Sequence, residues 1–217
     1  MQKKIIANVL EKKLIAIVRG MEPDACLELG KALYAGGIDM IEVTFNQKST
    51  NHFADTTKAI SILKEQMGDK VMVGAGTVLS AEQVDLAKAA GAGYIITPST
   101  DPAVIRYAKQ QGLVAMPGAF TPSEIVEAYQ AGADFVKVFP AGNMGASYIK
   151  AVKAPLSHIR LLAVGGVNEK NVAEFLRAGA VGAGVGGNLV NREWIAAGEF
   201  GRITELAREY VRAVTFS

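Results

Sequence analysis

Eight short apolar runs recur along the chain, and each is followed by a longer segment whose apolar residues return at helical spacing. The runs are LIAIV from Leu14, MIEVTF from Met40, VMVGAG from Val71, YIIT from Tyr94, LVAM from Leu113, FVKVF from Phe135, LLAV from Leu161 and AGVGG from Ala183. A strand with one wet face alternates polar and apolar residues. These runs hardly alternate, which suits parallel strands covered on both faces. Helix starts are marked at Glu22-Pro23-Asp24, at Ser80 with Glu82, at Asp101-Pro102, and at Thr121-Pro122-Ser123 with Glu124. Ala-Gly pairs at Gly36, Gly91, Gly132 and Gly179 are expected to end helices in left-handed caps. Eight such units without a linker or low-complexity break predict a single (β/α)8 barrel over residues 1–217 in place of an open doubly wound sheet. The leading MQKKIIANVLEKK predicts an extra N-terminal helix. Its apolar run is too short, and too interrupted at Asn8, for a secretion signal.

Composition narrows the partners. Half of the residues are hydrophobic and a fifth charged, enough apolar material for a large core. The 23 Lys and Arg are scattered among 21 Asp and Glu for a net charge of +2, so neither a nucleic-acid footprint nor a nucleic-acid partner is expected. No apolar stretch approaches the about 20 residues of a membrane helix, so no membrane partner is expected either. The single Cys26 permits no intrachain disulfide and points to a reducing, cytoplasmic setting, with Cys26 itself in the core.

In such a barrel chemistry gathers at the C-terminal ends of the strands. Two residues there break the apolar pattern. Lys137 lies in FVKVF between Val136 and Val138 and by alternation shares a face with Phe135 and Phe139. Desolvation there lowers an amine toward the neutral form that attacks a carbonyl, the requirement for Schiff-base catalysis; the alternative is a lysine held in a structural ion pair. Glu42, inside MIEVTF, is either the partner of Lys137 or a base. Their strands, the second and sixth, supply the same layer, so the two groups can face each other across the barrel mouth. Together they suit an aldol step, with the amine as electron sink and the carboxylate moving protons.

Other loops add weaker signals. Gly74-Ala-Gly-Thr77 offers close backbone approach to a ligand and a hydroxyl, and Arg19 at the end of the first strand offers either a carboxylate clamp or a surface ion pair. Gly165-Gly166 and Gly186-Gly187-Asn188 close the seventh and eighth strands, where barrels bind phosphate through backbone N–H groups; the alternative is tight turns alone. No side-chain cation is evident in those two loops. His52 and His158, the only histidines, fall away from the C-terminal strand ends, so neither a metal nor any other cofactor is expected. Trp194 and the helix expected over 199–214 read as packing or subunit contact.

The motifs EVTFN (42–46), GAGTVL (74–79), MPG (116–118), FVKVFPA (135–141) and VGG (164–166) resemble, in order and spacing, the KDPG/KHG aldolase family. The resemblance implies a (β/α)8 class I aldolase, usually trimeric. Such enzymes split 2-keto-3-deoxy-6-phosphogluconate to pyruvate and glyceraldehyde 3-phosphate, or 4-hydroxy-2-oxoglutarate to pyruvate and glyoxylate. It further implies Lys137 as the Schiff-base lysine, Glu42 as the general acid/base, Arg19 and Thr77 as carboxylate or substrate contacts, and Pro98, Gly118 and Phe139 as pocket lining. Gly165, Gly166, Gly186 and Gly187 would form the phosphate loops. Asn46 and Val164 depart from the Arg and Thr of gluconate-type members and are similar to the galactonate-type branch; Asn188 stands where many relatives have Ser. Two rival readings share the fold: another phosphate-binding barrel enzyme, and a non-catalytic barrel that binds a phosphorylated sugar acid.

Overall fold

The computed structural model describes residues 1–215. Its parallel strands are β1 (Leu14–Arg19), β2 (Met40–Thr44), β3 (Met72–Gly76), β4 (Tyr94–Ile96), β5 (Val114–Met116), β6 (Gly118–Ala119), β7 (Val136–Val138), β8 (Leu161–Val164) and β9 (Gly182–Val185). They lie in the order β5-β4-β3-β2-β1-β9-β8-β7-β6. The two ends of that order, β5 and β6, are neighbours in the chain separated by Pro117, so the sheet closes on itself. Pro117 lacks the N–H that a ladder requires, which divides one strand into two. Before it the chain pairs with β4; after it, with β7, in the register Gly118 to Lys137. The expected eight runs therefore form an eight-stranded barrel.

The helices are α1 (Gln2–Lys12), α2 (Pro23–Ala35), α3 (Ala54–Met67), α4 (Ala81–Ala89), α5 (Pro102–Gln110), α6 (Pro122–Gln130), α7 (Ala141–Met144), α8 (Ala146–Lys153), α9 (Val172–Arg177), α10 (Arg192–Ala196) and α11 (Phe200–Thr215). Their starts follow the signals. Asp101 accepts from the N–H groups of Ala103 and Val104, and Thr121 and Glu124 form a complete capping box on α6. Each such cap stabilises a helix by about 1 kcal/mol. At α4 the partner of Ser80 is Gln83, whose Oε1 in turn accepts from Leu79 N–H at 2.6 Å. Gly91, Gly132 and Gly179 adopt the expected left-handed conformation, but Gly36 does not: its φ is −83°, and the following Gly37 takes φ +94°. The reversal needs one residue without a Cβ, and the second glycine of the pair fills that place.

Two apolar layers result. Outward-facing strand residues such as Ala16, Ile41, Val136 and Val138 pack against the helices. Inward-facing Ile15, Met40, Tyr94, Phe135 and Leu162 fill the barrel, joined by Ile5 and Val9 of α1, which plugs the N-terminal end. The closed floor leaves the C-terminal end as the place for a cavity. Cys26 is buried in the outer layer, and burial pushes its thiol up to about 12, an inert core position. No described helix is long and apolar enough to cross a membrane.

Candidate active site

Alternation along β7 sends Val136 and Val138 outward and turns Lys137 into the barrel, above Phe135 and below Phe139. Lys137 is 6% exposed, and its Nζ lies 4.7 Å from the centroid of the Phe139 ring. Burial lowers its pKa, the Glu42 carboxylate pulls it back up, and the Arg19 guanidinium lowers it further. From β2, Glu42 points inward between the outward Ile41 and Val43, and it is 1% exposed. Burial pushes its pKa up to about 7, against the opposing pull of Lys137 and Arg19.

The Oε2 atom of Glu42 is buried and has no hydrogen-bond partner. Leaving such an oxygen unsatisfied costs roughly 1–3 kcal/mol, so it persists where a ligand or a proton uses it. The carboxylate has room because β3 carries glycines on its inner face. A Cβ at Gly76 would collide with Glu42 Oε1, and one at Gly74 with the Tyr94 ring. The expected close approach of this glycine segment to a ligand is thus corrected: the space is taken by two side chains. Sequence patterns missed Gly76 as the support of Glu42, because its role depends on a diagonal neighbour on the adjoining strand, where Glu42 itself is in register with Gly74.

A cavity of about 430 Å³ opens at the C-terminal end of the strands, lined by Arg19, Glu42, Lys137, Phe139 and Val164 and by both glycine loops. Gly165 and Gly166 adopt φ of +87° and +74°, and the Gly165 carbonyl accepts from Gly142 N–H at 2.7 Å. Gly186 and Gly187 present bare backbone: a Cβ on Gly187 would meet nothing within 4 Å. Asn188 joins the wall, but its side-chain amide donates to Glu169 Oε2 at 2.7 Å and to the Tyr210 hydroxyl at 2.9 Å.

The other expected site residues lie outside this wall. Asn46 is exposed on its own loop, where its Oδ1 accepts from Lys48 N–H at 3.1 Å, beside a separate depression. Thr77 takes φ +56°, and its carbonyl accepts from Gln47 Nε2 at 2.8 Å. At Gly118 the missing side chain serves packing, since a Cβ would lie 2.5 Å from the carbonyl carbon and oxygen of Pro98. The absence of a side-chain cation from the glycine loops is also corrected. Arg192, at the start of α10 and four residues past Asn188, reaches into the cavity wall. An exposed arginine at a helix start carries no local sign of that role. Among the described residues no three His, Cys, Asp or Glu converge as a metal site; His52 sits before α3, and His158 packs edge-on against Tyr129 at 5.1 Å between ring centroids.

The sequence pattern of the family described as KDPG and KHG aldolase matches residues 5–206. The chain belongs to that family. It is an aldolase of the class I type, a carbon–carbon lyase with this buried lysine and carboxylate in one barrel. The chain is 41% identical over 177 residues to the 2-dehydro-3-deoxy-6-phosphogalactonate aldolase of Escherichia coli strain K12, covering 81% of this chain and 83% of that one. Among solved structures, native KDPGal superposes with a TM-score of 0.84 at 37% identity, covering 93% of this chain and 94% of the other. The KDPG aldolase of Legionella pneumophila, solved with pyruvate captured as a covalent carbinolamine, also gives 0.84, at 29% identity over 94% of this chain and 96% of that chain.

Proposed function

We propose that the chain is one catalytic domain that cleaves 2-keto-3-deoxy-6-phosphogalactonate, and its gluconate epimer, to pyruvate and glyceraldehyde 3-phosphate through an imine on Lys137. The observation that carries this reading is a desolvated lysine and an unpartnered carboxylate facing one cavity. The neutral amine of Lys137 adds to the C2 ketone, and protonated Glu42 gives the carbinolamine oxygen the proton with which it leaves as water. The carboxylate of Glu42 then takes the proton of the C4 hydroxyl. The C3–C4 bond breaks, its electron pair passes into the iminium to make an enamine, and the aldehyde departs. Protonation of the enamine at C3 by Glu42, followed by attack of water on the imine, releases pyruvate and restores the amine. A carboxyl with a pKa near 7 can serve in both directions.

Arg19 holds the substrate carboxylate, Phe139 and Val164 pack the carbon chain, and the backbone of Gly165, Gly166, Gly186 and Gly187 receives the phosphate. The same imine chemistry extends to 4-hydroxy-2-oxoglutarate, with pyruvate and glyoxylate as products. Identity to the galactonate enzyme and the valine at residue 164 support the choice of galactonate. We further propose a cytoplasmic homotrimer; the exposed Phe120 ring, stacked on Tyr148 at 6.2 Å, offers apolar surface for assembly. Lys137→Arg tests the catalytic reading. A guanidinium stays charged and cannot form the imine, so cleavage should be abolished in a folded protein; retained turnover would overturn the mechanism.

A further inference from the structure

The cavity holds two guanidinium groups, and only one has been given a task. Arg192 lines it together with Arg19, Glu42 and Lys137. Its Nη2 donates to the backbone carbonyl of Arg19 at 3.0 Å, which fixes the side chain across the cavity mouth and leaves the rest of the donor fork uncommitted. Among the described residues no carboxylate forms an ion pair with Arg192. With Arg19, Lys137 and Arg192 against Glu42 alone, the wall is cationic, and a ligand with anionic groups at both ends complements it.

The two arginines serve different ends of that ligand. Arg19 ends β1 and acts on the charge of both Glu42 and Lys137, whereas Arg192 is not among the groups that shift either. Arg192 belongs instead to the segment that follows β9 and carries the bare backbone of Gly186 and Gly187.

We propose that Arg192 is a specificity-determining residue whose guanidinium binds the distal phosphate of the sugar acid and makes the enzyme select phosphorylated over unphosphorylated 2-keto acids. This deepens the aldolase reading above and rests on it. A planar fork matches phosphate oxygens in bidentate fashion, which neither a backbone cradle nor a neutral amide reproduces.

The test compares wild type with Arg192→Gln, which removes the charge and keeps a donor for the Arg19 carbonyl. The substrates are 2-keto-3-deoxy-6-phosphogalactonate and its unphosphorylated counterpart. The ratio of their kcat/KM values should fall about 10- to 100-fold, the scale of a lost charge-assisted contact, and the loss should lie in KM. Binding of inorganic phosphate, measured by calorimetry on both proteins, should weaken in parallel. An unchanged ratio, or an equal loss on both substrates, overturns the proposal, the second by showing that Arg192 acts only through its hold on Arg19. If Arg192→Gln does not fold, Arg192→Met carries the same expectations. A wild-type protein that forms no adduct with pyruvate would sink the aldolase reading, while the phosphate measurement would still decide the role of Arg192.

Discussion

The backbone of Gly76 supports the carboxylate of Glu42: a side-chain carbon at residue 76 would occupy the space of Glu42 Oε1. The contact ties the one acid that lines the cavity among the described residues to a strand that contributes no side chain to it. Gly76→Ala should therefore push Glu42 out of place at a stability cost of about 1–3 kcal/mol, the scale of overpacking. Turnover should drop roughly 100-fold, the usual cost of losing a positioned acid/base, while the pyruvate adduct on Lys137 still forms. Single-turnover kinetics separate the two steps, and near-wild-type turnover in a folded Gly76→Ala protein would show that the carboxylate does not need this position.

The raised pKa of Glu42 makes a prediction about stability. Its carboxyl holds its proton up to about pH 7 in the native protein, against an ordinary value of 4.5. Between those values the unfolded chain releases a proton that the folded chain keeps, so this contribution is full below the ordinary value and is lost as pH rises through the native one. Glu42→Gln cannot ionise and escapes the loss. Its stability relative to wild type should rise from pH 5 to pH 8, by up to about 3 kcal/mol. Denaturant unfolding of both proteins at each pH measures the difference, in which all other titrating groups largely cancel. A difference that does not change with pH would mean that Glu42 is ionised throughout.

Most of the architecture was legible because it rests on local chemistry. The runs from Leu14 to Ala183 became strands through their apolar content, and Asp101 and Thr121 capped the helices that follow them because cap bonds span only a few residues. Lys137 and Glu42 stood out because a charge between aliphatic neighbours, Val136 and Val138 for the one and Ile41 and Val43 for the other, is costly in any strand. What stayed hidden depends on residues distant in the chain. The partner of Gly74 is Tyr94, that of Asn188 includes Tyr210, and Arg192 reaches Arg19 from the other end of the sequence. The pairing of β9 with β1 joins the two ends of the chain and brings Arg192 to Arg19, and no periodicity records it.

Val164, for which we propose a part in substrate choice, is 4% exposed and lines the cavity beside Gly165. A valine cannot hydrogen-bond, while a threonine of nearly the same volume can anchor a hydroxyl of one configuration. The galactonate epimer should be cleaved at least as well as the gluconate epimer by the wild-type protein. Val164→Thr should shift the ratio of their kcat/KM values toward gluconate by about tenfold, equivalent to ~1.4 kcal/mol. A strong wild-type preference for gluconate that the variant leaves unaltered would show that residue 164 does not read that hydroxyl.

Whether Lys137 forms the imine is decided by borohydride reduction in the presence of pyruvate, followed by mass analysis of the peptides. A stable, stoichiometric adduct is expected on the peptide that contains Lys137, absent when pyruvate is omitted and absent from Lys137→Arg. No adduct, or an adduct on another lysine, would rule out Lys137 as the imine-forming residue.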